Sequence, residues 1–130
     1  MPSKVETLIS PDVMAPIGPY SHIAKAKGFI TISAIAGVDP STSELAGDDI
    51  ASQTKQIIKS FKTMLASVNS DLAHVLHINV FLTDMTNFEA MNAAYAAAMG
   101  AHRPARTAVA VTALPKPGAL VTMNLTAVEK

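Results

Sequence analysis

Apolar and polar residues alternate over Phe29 to Ile35 (FITISAI), over Thr107 to Thr112 and over Leu120 to Val128. A period of two predicts strands with one buried face. Residues 5–9 (VETLI) predict a shorter strand, Pro11 to Pro19 a loop, and the run VDPSTSELAG from Val38 to Gly47 a turn or loop. The period then changes. Ile50, Ile57, Ile58, Phe61, Leu65 and Val68 recur at three- and four-residue spacing, so a helix running to about Val68 carries one apolar face. Asp48 or Asp49 stands where a side-chain oxygen caps its first turn. His74 to Leu82 (HVLHINVFL) predicts a strand buried on at least one face. NFEAMNAAYAAAM predicts a second helix stopped by Gly100, and Thr86 and Glu89 ahead of it have the spacing of a reciprocal capping box. HRPAR reads as a loop and LPKPG as a turn.

This order of elements predicts a two-layer α+β domain, with two helices on one face of a sheet of about five or six strands. No composition shift, repeat or low-complexity tract divides residues 1–130, which read as one domain. The second face of the sheet needs a cover. If alternation leaves that face apolar, another copy of the chain is the economical way to hide it.

Composition narrows the chemistry. Ten Lys and Arg balance ten Asp and Glu. A chain without surplus cations is a poor counterion-release binder, so a nucleic-acid partner is not expected. The absence of cysteine removes thiolate catalysis, thiolate-held metals and disulfides together. Charges occupy the start of the chain where a signal peptide needs an apolar core, and no window approaches 18 apolar residues. A soluble cytoplasmic protein without a membrane span is the expectation.

Among polar residues, His74 and His77 are three apart, which on a strand sends them to opposite faces, so no metal site is expected. His22 and His102 read as partly exposed loop histidines, with a catalytic role as the alternative. Ser52 and Lys55 match an S-x-x-K spacing, but inside an amphipathic helix this reads as coincidence. No glycine-rich phosphate loop occurs, and Met85, Met91 and Met99 read as helix and core filler. Two features stand out. Arg106 ends a proline-bearing loop and opens a strand of small and apolar residues. Its guanidinium needs an anion, either a substrate carboxylate or one of the chain's own acids. Tyr20 follows the rigid Ile17-Gly18-Pro19 turn and reads as core or interface packing, or as a pocket wall with a polar tip.

APIGPYSHIAKAKGFITISA, the D-P-x-T/S-x-E-L loop, VFLTDMTNFEAMNAAY, PARTAV and LPKPGALV occur in this order across nearly the whole chain. Together they resemble the RidA (YjgF) family. The resemblance implies a chorismate-mutase-like α+β fold and a homotrimer with ligand clefts between subunits. It also implies hydrolysis of reactive enamine and imine intermediates, such as 2-aminoacrylate and 2-imino acids, to 2-oxo acids and ammonia, without metal or cofactor. By the same resemblance Arg106 corresponds to the carboxylate-binding arginine of P-A-R. Tyr20 corresponds to the pocket tyrosine of I-G-P-Y, Ser33 to the serine of S-G-Q, and Asn92 to the first residue of N-x-x-Y.

The chain departs from that pattern at Ala34 and Ile35, which replace the Gly and Gln of S-G-Q, and at Ala108, often Cys in the family. It also departs at Thr122 and Asn124, which replace the two glutamates of the final E-I-E. The first of those glutamates is thought to place the attacking water. Thr122 can orient water but is hardly basic near neutral pH. Two readings follow: a deaminase of weak or altered activity using Arg106, Thr122, Tyr20, Ser33, Ala34 and Asn92, or a non-catalytic trimer that binds or senses a small carboxylate metabolite.

Overall fold

Alternation in three long strands dictates a sheet with one dry face, and the two predicted helices supply its cover. The computed structural model describes residues 4–130, so the first residues of the charged N-terminal stretch lie outside it. A six-stranded sheet contains β1 (Glu6–Leu8), β2 (Ile23–Ala26), β3 (Phe29–Ala36), β6 (Val75–Leu82), β7 (Ala105–Ala110) and β8 (Val121–Val128), in the order β1-β2-β3-β8-β6-β7. Only the β6–β7 pair is parallel, joined through α2 (Phe88–Met99). The residues between β3 and α1 (Ile50–Ser67) form a small ladder, β4 (Val38–Asp39) with β5 (Glu44–Leu45), where a turn or loop is expected. The fold is the predicted α+β arrangement, a mixed sheet with two helices.

Ile30, Ile32 and Ile35 of β3, Ile78, Val80 and Leu82 of β6, and Val121, Met123 and Leu125 of β8 share the face toward the helices, and all are buried. Against them packs the stripe of α1, with Ile57, Ile58, Phe61 and Leu65 fully buried. Asp49 is the cap of α1, its carboxylate accepting from the backbone N–H of Ser52 at 2.9 Å. That bond holds the Asp49 carboxyl below its usual range.

Several local features lie outside or against expectation. The sequence assigns no element to β2: Ile-Ala-Lys-Ala carries no alternation of its own and is held as a strand by pairing with β3. The capping box at Thr86 and Glu89 does not form. Asp84 accepts from both the N–H and the hydroxyl of Thr86, at 2.9 and 2.8 Å, and thereby caps a 3-10 turn over Met85–Asn87 that precedes α2. His74 lies not in β6 but in a 3-10 turn, where its Nδ1 meets Asp71 at 2.7 Å. His22, expected at the surface, is buried: its Nδ1 accepts from the Ser10 N–H at 2.9 Å and its Nε2 donates to the Met14 carbonyl at 2.7 Å. A histidine saturated in this way ties the loop before it to the sheet. His102 is partly buried, with Nε2 on the Val75 carbonyl at 2.8 Å.

One polar residue on the buried face of α1 joins the layers. The amide of Gln53, fully buried, donates to the carbonyls of Gly47 at 3.0 Å and Gly118 at 3.2 Å and accepts from the N–H of Leu120 at 2.8 Å. Gly37 lets β3 run on beside it, since a Cβ there would lie 2.7 Å from the Gln53 Cα.

Gln53→Leu conserves bulk but leaves the Leu120 N–H and two carbonyls bare. Each such group costs about 1–3 kcal/mol when buried. Urea unfolding of the variant is expected to show a loss of about 3 kcal/mol with an unchanged slope; a loss below about 1 kcal/mol would mean that water replaces the amide.

Candidate functional site

The dry face of the sheet is spent on the core, so side chains available for chemistry come from the opposite face, from strand ends and from loops. β3 contains a bulge between Ile32 and Ile35: Ile32 pairs with Leu125 and Ile35 with Met123, so Ser33 and Ala34 together oppose Asn124 alone. Both core isoleucines keep their face, while Ser33 and Ala34 are turned out of the regular ladder. Ile35, which takes the place of a polar residue in the family pattern, is buried in the core and obstructs nothing. Ala34 has an ordinary negative φ, so this chain needs no glycine there.

Around the bulge lies a cavity of about 440 Å³. Ser33, Ala34 and Ala36 of β3 form its floor with Thr122 of β8. Met14, Ile17 and Tyr20 wall it from the loop that His22 anchors, and Pro115 and Lys116 wall it from the turn before β8. The Tyr20 hydroxyl accepts from the Ile17 N–H at 3.3 Å, which fixes the ring across the mouth. Thr122 is 7% exposed, and the Ser33 hydroxyl is buried without a partner. Among the described residues no carboxylate lines the cavity. Four of the sequence-predicted site residues, Tyr20, Ser33, Ala34 and Thr122, therefore meet here.

Arg106 and Asn92 do not join them. Arg106 pairs in register with Ile78, and Ile78 with Leu125, so its side chain leaves the sheet on the helix side; Thr122 pairs with Phe81 and leaves on the other. The two residues are also two strands apart, roughly 10 Å at ordinary strand spacing. Under α2, the Arg106 Cζ lies 4.9 Å from the centre of the Tyr95 ring and 5.7 Å from that of Phe88. Both rings present π faces to the cation. Nη1 has the Met91 sulfur at 3.9 Å, a weak acceptor. Among the described residues no carboxylate comes within 4 Å of Arg106, so the internal salt bridge weighed from the sequence is not made. Arg103, by contrast, is consumed by capping α2, donating to the carbonyls of Gly100 and His102. The Asn92 Oδ1 and the Tyr95 hydroxyl, both on α2, are buried without partners.

The other polar candidates are structural. The His77 Nε2 meets the Thr107 hydroxyl at 3.1 Å, and no group of three potential metal ligands occurs among the described residues. Ser52 and Lys55 line a groove of about 650 Å³ between the helices, but Ser52 belongs to the cap of α1. Met91 and Met99 are buried as expected, and Met85 is exposed. Sequence reasoning missed Lys116 and Met14 as walls; their signal, a lysine between two prolines and an apolar residue in a proline-bounded loop, was present.

The family model described as Endoribonuclease L-PSP matches residues 11–129. The chain belongs to this family, the YjgF/RidA family. A RutC family protein of Pyrococcus horikoshii is 39% identical over 111 residues, covering 85% of this chain and 88% of that one. Reactive Intermediate Deaminase A of Arabidopsis thaliana, a chloroplastic protein, is 30% identical over 86% of this chain and 60% of its own. The crystal structure of RidA from an Antarctic Psychrobacter superposes with a TM-score of 0.88 at 32% identity, covering 95% of this chain and 98% of that one. This RidA-family chain thus shares the overall fold of that structure.

Burial raises the Tyr95 phenol above its ordinary value of 10.0, against the opposing pull of Arg106 and Arg103. The folded state then holds a proton that the unfolded chain has already released, so stability falls as pH rises above about 10. Tyr95→Phe keeps the ring under Arg106 and deletes the unpartnered hydroxyl. The variant is expected to lose both the late phenolate absorbance step and this alkaline loss of stability, and to be no less stable than the parent at pH 7.

Proposed function

We propose that this protein is a RidA-type deaminase that hydrolyses 2-imino acids, and their enamine tautomers such as 2-aminoacrylate, in the cytoplasm and without metal or cofactor. One observation carries the reading: Arg106 offers a planar, uncompensated guanidinium braced on two aromatic rings, which is a receptor for a carboxylate. Similarity to Reactive Intermediate Deaminase A of Arabidopsis thaliana supports it.

Arg106 and Thr122 face opposite sides of one sheet, so one chain cannot bring them to a single substrate. A homotrimer supplies the remedy, with Arg106 and Asn92 of one copy closing the Thr122 cavity of the next. The sheet face away from the helices supports this assembly. Phe29 and Val109 are 56% and 40% exposed there, while the Ser33 hydroxyl and the Asn124 Oδ1 are buried without partners. That face is less apolar than the sequence suggests, since Thr31, His77, Asn79, Thr107 and Thr126 share it. Zero net charge and a cavity of small-molecule size favour a metabolite over a nucleic acid.

The reaction needs little from the protein. Water adds through oxygen to the C=N carbon of the protonated imine, one proton passes from that oxygen to nitrogen, and the C–N bond breaks as the C=O bond forms, the departing ammonia taking up the second proton of that oxygen as ammonium. Arg106 holds the carboxylate, Tyr20 and Ser33 shape the site, and Thr122 orients water. Without a carboxylate in the cavity, proton transfer falls to solvent, and the rate is held down by the missing general base.

Purified protein is expected to accelerate the decay of 2-iminobutanoate generated in situ. Arg106→Ala should cost about 10²-fold in kcat/KM, the value of charge-assisted bonds to the substrate. Thr122→Glu should raise kcat about tenfold or more by restoring a base. Co-assembling Arg106→Ala chains with chains altered at Tyr20 should recover part of the activity, because some clefts then contain only intact halves. No rate above buffer for the parent protein would overturn the proposal, and a carboxylate retained through purification would then mark a binding protein.

A further inference from the structure

The cavity beside Thr122 is lined by a basic residue that imine hydrolysis leaves unused. Lys116 lines it, on the turn Pro115-Lys116-Pro117. Proline at both sides restricts this residue: each ring locks its own φ near −65°, and Pro117 drives Lys116 to extended backbone. The Lys116 carbonyl accepts from the Ala119 N–H at 3.1 Å, and Gly118, at φ +83°, gives its carbonyl to the buried Gln53. The lysine is thus mounted on a turn tied to the core. It is partly buried, and among the described residues no ion pair engages it; the pairs formed use Lys25, His74 and Lys130. Among the described residues Lys116 is the cavity's one charged lining residue, and no carboxylate lines it.

We infer that Lys116 binds a second, distal carboxylate, so that the preferred substrates are 2-imino acids with an acidic side chain. The inference rests on the assembly proposed above, in which Arg106 of a neighbouring copy takes the carboxylate next to the imine. Two cations and no anion around one cleft select a dianion, and a cavity of about 440 Å³ accommodates a five-carbon dicarboxylic skeleton. Lys116 is a specificity residue here: it touches the end of the substrate remote from the reacting carbon. Its contribution is made equally in ground and transition states, and it therefore belongs to KM.

The test compares imines generated in situ by oxidation of glutamate and of its neutral counterparts glutamine and methionine, with decay followed by trapping. The parent protein is expected to favour the acidic imine about tenfold or more in kcat/KM. Lys116→Met should bring that ratio close to one through KM, and Lys116→Arg should keep it. Equal rates on acidic and neutral imines in the parent, or a ratio unmoved by Lys116→Met, overturn the inference while the deaminase reading stands. Calorimetry with 2-oxoglutarate and 2-oxobutanoate separates the two ideas if no imine is hydrolysed. Tighter binding of the dicarboxylate that is lost in Lys116→Met upholds the anion site and removes the hydrolysis; equal binding of the two acids removes both.

Discussion

A single buried amide holds together the parts of this protein that meet at the cavity. Gln53 projects from the first turns of α1 into a space where a loop, a turn and the start of β8 converge, and bonds all three. An apolar side chain there fills volume but satisfies no backbone, and a charged one carries an unpaid desolvation cost. The amide fits because it both donates and accepts. Gly37 allows the approach, for any side chain at that position meets the backbone of α1. Through these contacts the helix layer dictates where the Pro115-Lys116-Pro117 turn sits, and with it one wall of the site.

The sheet itself divides labour by face. Its helix side carries the core and, on the edge strand β7, Arg106. Its other side carries the bulge, Thr122 and a mixture of threonine, asparagine and aromatic residues. The register between β8, β6 and β7 makes this division strict, because side chains in one row point one way. The assembly proposed above joins the two faces across two copies, and the unpartnered Ser33 and Asn124 atoms lie away from the helices, on the side that proposal covers.

Much of this architecture is legible in the sequence because strong periodicity survives folding. The alternation of β3 and β8 and the stripe of α1 give those elements almost to the residue, and Asp49 marks the start of α1. What escapes is governed by competition or by distant partners. Thr86 has the spacing of a capping box, but Asp84, two residues earlier, captures its hydroxyl. β2 has no pattern of its own and borrows its conformation from β3. His22 looks like a loop residue until Ser10 and Met14 fold over it. Gln53 falls in the three- and four-residue spacing between Ile50 and Ile57, so its burial follows from the helix period, yet its polarity hides it from an apolar count. At the site, the motifs named the residues, whereas their separation onto two faces needed the register.

The bulge at Ser33 and Ala34 also separates two kinds of information in one strand. Ile32 and Ile35 are three residues apart, so a regular ladder would send them to opposite faces; because Ser33 and Ala34 together oppose one partner, both stay on the core face. The extra residue is thus a frame shift that β8 absorbs locally. It gives the cavity wall its own reading frame, so that evolution can rewrite the Ser33-Ala34 surface without disturbing the alternation by which β3 builds the core.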